Sequence, residues 1–166
     1  MAAQEQSHLL QVLLSLDRKI WGIAYSYSKN AEDARDIAQE VRLRIIEKGE
    51  SYRGGASLET WMYRIAVNVC RDHARSGARK RKREVPMEED VEAPSEDREA
   101  LFALRTALEG LPARQRQLLS LREFGGLSYK EVAGVLGLSL GSVESGLFDA
   151  RTRLAKILDR VRGGEK

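Results

Sequence analysis

Apolar residues recur along the first part of the chain at the spacing of amphipathic helices. Residues 8–28, 31–48 and 58–76 each place an apolar side chain at about every third or fourth position. This period gathers the apolar side chains on one face of a helix, where they can be buried together. Asn30 and Ser57 precede the second and third segments, where their side chains can cap free backbone amides. The pattern predicts a three-helix unit.

A second group of helices is predicted toward the C-terminus. Residues 99–109 and 112–123 have helical periodicity, and glycines follow both segments. Ser128 and the glutamate three residues later form a capping box that begins a short helix, and Ser139 can cap a final helix after Gly137. Two helices joined by a tight glycine-containing turn form a helix-turn-helix. We therefore predict an all-α protein with a helix-turn-helix in its second unit.

Charge separates the two units. Residues 1–83 carry sixteen basic against ten acidic residues, residues 84–99 carry one against eight, and residues 100–166 carry eleven against seven. Two basic blocks around an acidic segment suggest two units that each meet a polyanion, although ordinary surface charge also produces such patches. Prolines in the acidic segment argue against a continuous helix there. The predicted organisation is two small helical domains, 1–76 and 99–166, joined by a flexible linker over residues 77–98.

Composition narrows the classes of function. Cys70 is the single cysteine, so an intramolecular disulfide is excluded, and its position near an apolar helix face predicts a buried, unreactive thiol. His8 and His73 lack metal-ligand spacing, so we expect no metal site and no cofactor. No phosphate-binding loop or nucleophile–base arrangement stands out, which argues against an enzyme. A polar N-terminus and the lack of a long apolar run predict a cytoplasmic protein without membrane insertion.

The third predicted helix has two different faces. One face is apolar, and the other carries three arginines and an asparagine, namely Arg64, Asn68, Arg71 and Arg75. Cations can bind phosphates, and an asparagine can both donate to and accept from a base edge. Taken alone, these residues leave a nucleic-acid surface and an ordinary solvated face equally open.

Several motifs together resemble bacterial sigma factors of the extracytoplasmic-function (ECF) group. The run Asp36-Ile37-Ala38-Gln39-Glu40 looks like the DxxQE signature of sigma region 2. Residues 52–68, YRGGASLETWMYRIAVN, are similar to the promoter-melting segment of that group. Residues 111–112, 127–133 and 150–154 resemble sigma region 4. The resemblance implies a factor that binds core RNA polymerase and directs promoter recognition and transcription initiation.

The resemblance also implies which residues contact the partners. The expected minus-ten contacts to single-stranded promoter DNA are Tyr52, Arg53, Gly54, Gly55, Ala56, Ser57, Trp61, Arg64, Asn68, Arg71 and Arg75. For Trp61, packing in the core is favoured over base contact. Asp36, Gln39 and Glu40 are expected to dock on the clamp helices of the polymerase largest subunit. The flap region of polymerase and an anti-sigma factor are further candidate partners.

The second unit departs from the family's pattern. The residues expected to face the duplex minus-thirty-five element are Ser139, Gly141, Glu144, Ser145, Phe148, Asp149 and Arg151. Glu144 and Asp149 stand where cations are common, and Gly146 replaces a frequent arginine. An acidic face suits a phosphate-lined groove poorly, although a carboxylate can accept from cytosine and Phe148 can contact a thymine methyl. The helix either reads an atypical element or binds DNA weakly and serves mainly for protein docking.

Two other functions remain as alternatives. A helix-turn-helix regulator that acts without polymerase needs only the second unit, so the complete first unit argues against it. A sigma-like adaptor that sequesters a sigma regulator needs no single-strand surface, so Arg64, Asn68 and Arg71 argue against it. The acidic final helix argues for the adaptor.

Overall fold

Eight α-helices make up most of the computed structural model, which describes residues 3–77 and 95–163. No strand occurs among these residues, in agreement with the all-α prediction. Most of the predicted linker lies outside the described residues, so the predicted domain boundaries stay a prediction. The helices are α1 (Ala3–Ser15), α2 (Asp17–Ser28), α3 (Ala31–Lys48), α4 (Leu58–Gly77), α5 (Ser95–Glu109), α6 (Ala113–Leu119), α7 (Tyr129–Leu136) and α8 (Leu140–Gly163).

The apolar segment over residues 8–28 forms two helices instead of one. Leu16 separates α1 from α2, with φ −92° and ψ −3°. Its amide donates to the carbonyls of both Val12 and Leu13, at 3.1 and 3.2 Å, which tightens the end of α1. Leu16 is itself buried, and the break lets apolar residues of both helices reach the same core. The helical spacing of apolar residues predicts one helix here, but packing against the core divides it into two.

Side-chain caps begin the helices where the sequence predicts them. Asn30 and Ser57 each accept a hydrogen bond from the amide three residues later, at 3.0 and 3.1 Å. The Ser128 hydroxyl accepts from the amide of Glu131 at 3.3 Å, and the Glu131 carboxylate accepts from the amide of Ser128 at 2.7 Å. These bonds satisfy amides that have no partner within the helix, which confirms both predicted caps and the capping box.

The helix predicted over residues 112–123 is α-helical only in its first part. A π-helical turn, Ser120–Phe124, follows α6. The amide of Gly125 closes this turn by donating to the Ser120 carbonyl, five residues back, at 2.9 Å. A Cβ atom at Gly125 would lie 2.5 Å from the carbonyl oxygen of Leu121, so a larger residue would force the backbone to shift. The turn lets Leu121 enter the core.

The two groups of helices pack against each other around one continuous core. Buried residues of α1–α4, such as Ile20 and Met62, belong to the same cluster as Leu118 and Val132 of the later helices. α2 packs against α6 and the π-turn, and α4 packs against α7. We call α1–α4 the first module, α5–α8 the second module, and the surface between them the seam. The periodicity predicts both modules, but it does not predict the seam.

Candidate nucleic-acid interface

The loop before α4, residues 52–57, is held by side-chain hydrogen bonds near its ends, whereas the backbone at its tip has free space around it. The Tyr52 hydroxyl donates to the carbonyl of Ala56 at 2.6 Å, and the Arg53 guanidinium donates to a carbonyl three residues earlier at 2.8 Å. Gly54 has a φ of +75°, a conformation that favours glycine. A Cβ atom at Gly54 or Gly55 would have no neighbour within 4 Å. An extended strand or an unstacked base can therefore approach the backbone of the loop tip.

Ser57 and Trp61 connect this loop to α4. Ser57 caps the helix, and its hydroxyl also donates to the side-chain oxygen of Thr60 at 2.8 Å. Trp61 is half-buried and packs against the core. Its ring lies 5.5 Å from that of Tyr52, with the two planes tilted by 56°. Trp61 thus supports the loop from the core side.

The polar face of α4 is continuous with the loop. Arg64, Asn68 and Arg75 are exposed, and Arg71 is half-buried. Met62 is fully buried on the opposite side of the helix. We call these four residues the α4 polar face. The structure brings them onto one side of a single rigid element, as their spacing predicts, while their contact with DNA stays a prediction.

One end of the α4 polar face lies against the second module. A Cβ atom at Gly134 of α7 would lie 3.3 Å from a guanidinium nitrogen of Arg64. The Thr60 hydroxyl donates to the Glu131 carboxylate of α7 at 3.4 Å. Sequence reasoning missed this contact, because nothing local to α4 or α7 indicates that the two helices meet.

The predicted polymerase-binding residues of α3 fall into two groups. Asp36 and Gln39 are exposed. Glu40 instead accepts hydrogen bonds from Arg44 at 2.6 Å and from His73 of α4 at 2.5 Å. The hydrogen bond with His73 is the main cause that lowers the pKa of the Glu40 carboxyl. Glu40 therefore links α3 to α4 and is only partly available to a partner.

Two exposed apolar residues of α3 were missed in the sequence. Leu43 and Ile46 are 54% and 47% exposed, and they follow Asp36 and Gln39 at helical spacing. Together the four residues form a mixed polar and apolar stripe, which we call the α3 stripe. Two apolar residues outside the buried period of the helix were the signal that could have revealed it.

The exposed face of α8 is acidic and aromatic near the start of the helix. The Ser139 hydroxyl accepts from the amide of Ser142 at 3.2 Å, which confirms the predicted cap. Phe148 is 71% exposed. The other exposed residues predicted to face the minus-thirty-five element are Gly141, Glu144, Ser145 and Asp149.

Arg151 is the single cation among the predicted minus-thirty-five residues, and it is bound within its own module. Its guanidinium donates to the Glu123 carboxylate at 2.7 Å and to the Tyr129 hydroxyl at 3.1 Å. The hydrogen bond with Glu123 is the main cause that raises the pKa of Arg151. The positive charge of Arg151 is therefore partly balanced by the carboxylate of Glu123.

Metal-binding groups, thiol reactivity and membrane-spanning helices can each be assessed in the described residues. Across residues 3–77 and 95–163, no group of three or more histidine, cysteine, aspartate or glutamate side chains is arranged to hold a metal ion. Cys70 is buried as predicted, and burial raises the pKa of its thiol to about 12. Few thiolates exist at neutral pH with such a pKa, which makes the thiol inert. No helix in the described part of the chain is long and apolar enough to cross a membrane.

Two family profiles match the chain, one in each module. Residues 13–80 match Sigma-70 region 2, and residues 101–154 match Sigma-70, region 4. The RNA polymerase sigma-H factor of Pseudomonas aeruginosa is 32% identical, over 89% of this chain and 84% of its own length. The ECF RNA polymerase sigma factor EcfG of Rhodopseudomonas palustris is 34% identical, over 81% of this chain and 76% of its own length.

A solved structure has a similar fold along most of the chain. It is the sigma factor RpoE in complex with the anti-sigma factor NepR from Bartonella quintana, with a TM-score of 0.77 and 26% sequence identity. The match covers 90% of this chain and 95% of that chain, so it includes both modules. With regions 2 and 4 both present in the family's order, the chain belongs to the ECF family of RNA polymerase sigma factors.

Proposed function

We propose that this chain binds core RNA polymerase and holds the melted minus-ten strand of a promoter on the α4 polar face and the loop over residues 52–57. The observation that carries this proposal is one exposed surface that runs from an open glycine loop onto a row of cations with an asparagine among them. Proteins that hold a single strand combine cations for its phosphates with surfaces that accept its bases. The family assignment supports the same reading of this surface.

Asn68 is the residue that we assign to base recognition. It is exposed on a rigid helix, between Arg64 and Arg71 in sequence. An amide side chain offers both a donor and an acceptor, so it can pair with a base edge, whereas the arginines can neutralise phosphates. The loop tip at Gly54 and Gly55 has room for a base that has left the stack.

The α3 stripe is the surface that we assign to polymerase docking. Leu43 and Ile46 offer apolar area that binding can remove from water, and the side chains of Asp36 and Gln39 can set the register. We assign Glu40 a supporting role in this surface, because its carboxylate is bound to Arg44 and His73.

The second module is proposed to bind duplex DNA weakly. Glu144 and Asp149 repel phosphates, and the Arg151 guanidinium is bound to Glu123. Specific contact then depends on a matched base, such as a cytosine that donates to Glu144 or a thymine methyl against Phe148. The exposed Phe148 side chain also suits docking on the flap region of polymerase.

An anti-sigma factor is the regulatory partner that we propose. RpoE of Bartonella quintana forms a complex with the anti-sigma factor NepR, and its likeness to this chain spans both modules. A partner of this kind would act by favouring the arrangement in which the two modules touch.

Run-off transcription from a promoter library tests the proposed function directly. Purified core RNA polymerase is mixed with the full chain and with duplexes randomised upstream of a reporter sequence. We expect transcripts that depend on the added chain and that share an upstream sequence. If transcription does not depend on the chain while the chain still binds duplexes without polymerase, it is an independent helix-turn-helix regulator. If it binds neither polymerase nor DNA, the adaptor alternative holds.

A further inference from the structure

A cavity of about 220 Å³ lies between α2 on one side and α5 and the π-turn on the other. Its walls are mainly apolar and include the side chains of Trp21, Tyr25, Leu108 and Phe124. None of these four side chains belongs to the α4 polar face, the α3 stripe or the exposed face of α8. The cavity is therefore separate from the surfaces proposed for DNA and polymerase.

Three aromatic side chains stand at this cavity. Trp21 and Tyr25 lie one turn apart on α2, with their ring centres separated by 5.3 Å and their planes tilted by 24°. Trp21 is 37% exposed, and Phe124 of the π-turn is 45% exposed. Exposed aromatic rings around a concave surface are typical of a binding site. Such walls favour a flat ring as the ligand, because stacked and edge-to-face contacts add to the removal of apolar surface from water.

Gly22 contributes to the room inside the cavity. A Cβ atom at Gly22 would lie 3.6 Å from the Cβ atom of Phe124, which also lines the cavity. Any side chain at this position of α2 would therefore occupy space that the glycine leaves open. A cavity of roughly 150 Å³ is large enough for a benzene ring, so this larger one suits a ligand of one or two fused rings.

The charged residues at the cavity favour an anion. Arg18, Lys29, Arg105 and Arg116 line it, whereas Glu109 is the single carboxylate among the described residues of the lining. The Glu109 carboxylate accepts from the Arg105 guanidinium at 3.2 Å, so its charge is already balanced. Aromatic cavities can also bind organic cations. The excess of positive charge at this one would repel them.

Arg18 is the cation that a ligand can reach. Its side chain is exposed, and it makes no hydrogen bond or ion pair with the described part of the chain. Arg116 is buried and donates to the carbonyl of Ser26, and the Lys29 ammonium donates to the carbonyl of Glu109 at 3.3 Å. A guanidinium at the mouth of the cavity can bind a carboxylate with two parallel hydrogen bonds.

We propose that this cavity binds a small aromatic carboxylic acid, with its ring against Trp21 and Phe124 and its carboxylate on Arg18. The inference goes beyond the proposed function, because it requires neither polymerase nor DNA. The first module supplies α2 and the second supplies α5 and the π-turn, so the full chain is the form that binds.

Three test compounds with one ring system and different charges identify the class of ligand. Calorimetric titration of the purified full chain with naphthylacetate should give a Kd on the order of 0.1 mM. Neutral naphthylacetamide should bind about tenfold more weakly, because it loses a charge-assisted hydrogen bond. Cationic naphthylethylamine should not bind at millimolar concentrations.

The salt dependence of these titrations separates charge from apolar contact. Added salt should weaken the binding of naphthylacetate and leave that of naphthylacetamide nearly unchanged. No binding of naphthylacetate at millimolar concentrations would overturn the proposal. Equal or tighter binding of the amide or the amine would also overturn it, because the cavity would then not select an anion.

A change in one aromatic wall tests where the ring binds. Phe124→Leu keeps an apolar side chain but removes the aromatic contact, and it should weaken naphthylacetate binding by about twofold to tenfold. Phe148→Leu is the matched control, because it changes an exposed phenylalanine of α8 that lies outside the lining. Equal affinities of the two variants would contradict the placement of the ring.

Gly22→Ala tests the volume of the cavity. The added methyl group makes an ordinary contact with Phe124, so the variant should fold, but it should bind naphthylacetate several-fold more weakly because the ring loses space. Gly141→Ala is the control, since a Cβ atom there would have no neighbour within 4 Å. Unchanged binding by Gly22→Ala would show that the compound binds at another place.

Arg18→Gln tests the contact with the carboxylate. The affinity for naphthylacetate should fall about threefold, whereas that for naphthylacetamide should not change. Arg114→Gln removes another exposed arginine that does not line the cavity, and it should bind like the wild type. An equal loss in both variants would mean that only the net charge of the chain matters and would reject Arg18 as the carboxylate partner.

A side chain of a partner protein is the other occupant that an aromatic cavity can accept. N-acetyl-phenylalaninamide carries such a side chain without a charge, and it should bind more weakly than naphthylacetate. Tighter binding would assign the cavity to a partner protein and overturn its role as a site for a small acid. All of these titrations omit polymerase and DNA, so a failure of run-off transcription and a failure of this proposal are distinguishable.

Discussion

The predicted DNA-facing positions of α4 and α8 carry opposite charges, although the two helices are built in a similar way. α4 and α8 both begin at a serine cap and both bury one apolar stripe. The exposed face of α4 carries arginines around Asn68, whereas that of α8 carries Glu144 and Asp149 and has its Arg151 bound to Glu123. We infer that affinity for nucleic acid is concentrated in the first module and that the second module contributes selectivity or docking. The same helical architecture therefore gives different binding, because exposed charge is set independently of the buried stripe.

The largest effect is expected from Asn68→Ala in the first module. Loss of a base-edge contact should cost about 1–3 kcal/mol and lower promoter opening by about fivefold to somewhat over a hundredfold. Binding to core polymerase should change little, since the side chain is exposed and lies outside the α3 stripe. Opening can be followed with a fluorescent base analogue in a promoter selected from the library.

Gln11→Ala is the matched control for this variant, because it truncates an exposed amide on α1. The control should open promoters like the wild type. Normal opening by Asn68→Ala would show that base recognition lies elsewhere on the first module.

A smaller effect is expected when the acidic face of α8 is reversed. Glu144→Arg combined with Asp149→Arg should raise the affinity of the full chain for random duplexes. It should also steepen the salt dependence by a slope of up to about 2, if both arginines reach phosphates. Filter binding across a salt series gives both quantities. Asp159→Arg, farther along the same helix, is the control, and an equal rise there would mean that only net charge matters.

One carboxylate in each module, Glu40 in the first and Glu131 in the second, should make the stability of the chain depend on pH. The pKa of Glu131 is lowered mainly by the hydrogen bond from the Ser128 amide, and that of Glu40 mainly by the hydrogen bond from His73. A lowered folded-state pKa gives stability that is present above the ordinary pKa and is lost as the pH falls through the lowered value. Glu131→Gln should cost about 0.5–1 kcal/mol at neutral pH, because a helix cap is weakened.

Urea unfolding at neutral and at acidic pH measures this contribution. The difference between the wild type and Glu131→Gln should shrink in acid, and Glu40→Gln should show a smaller difference, since its partners are partly exposed. A difference for Glu131→Gln that does not depend on pH would show that the negative charge of the cap is not required.

No effect at all is expected at Cys70 when the hydrogen bond from Lys29 to the carbonyl of Glu109 is removed. The thiol is buried in the first module and its pKa is raised to about 12, so alkylation at neutral pH should be slow. Lys29→Met should leave this rate unchanged, because the core around Cys70 does not depend on the ammonium group of Lys29. Mass spectrometry after timed alkylation gives the rate. Faster labelling in the variant would show that the first module depends on docking for its own stability.

The sequence predicts the elements whose determinants are local. The predicted bounds of two helices, α3 and α4, agree with the structure. Their predicted caps, Asn30 and Ser57, are also present, because a cap joins residues only three positions apart. The α4 polar face follows from the same periodicity. Two features that depend on packing were not predicted, namely the break between helices at Leu16 and the π-turn after α6. In both places the helical spacing of apolar residues continues along the sequence, although the backbone changes its geometry to fit the core.

The sequence by itself determined the bounds of α3 and α4, the side-chain caps, the sigma motifs and the contrast in charge between the predicted DNA-facing positions of α4 and α8. Only the tertiary structure decided that the modules dock, that Glu40 is bound to His73 and that Lys29 and Arg116 bind the opposite module. The acceptors for Lys29 and Arg116 are backbone carbonyls, which every residue carries. No pattern of side chains can mark such an acceptor, so these contacts become visible only when the fold brings the ends of the helices together.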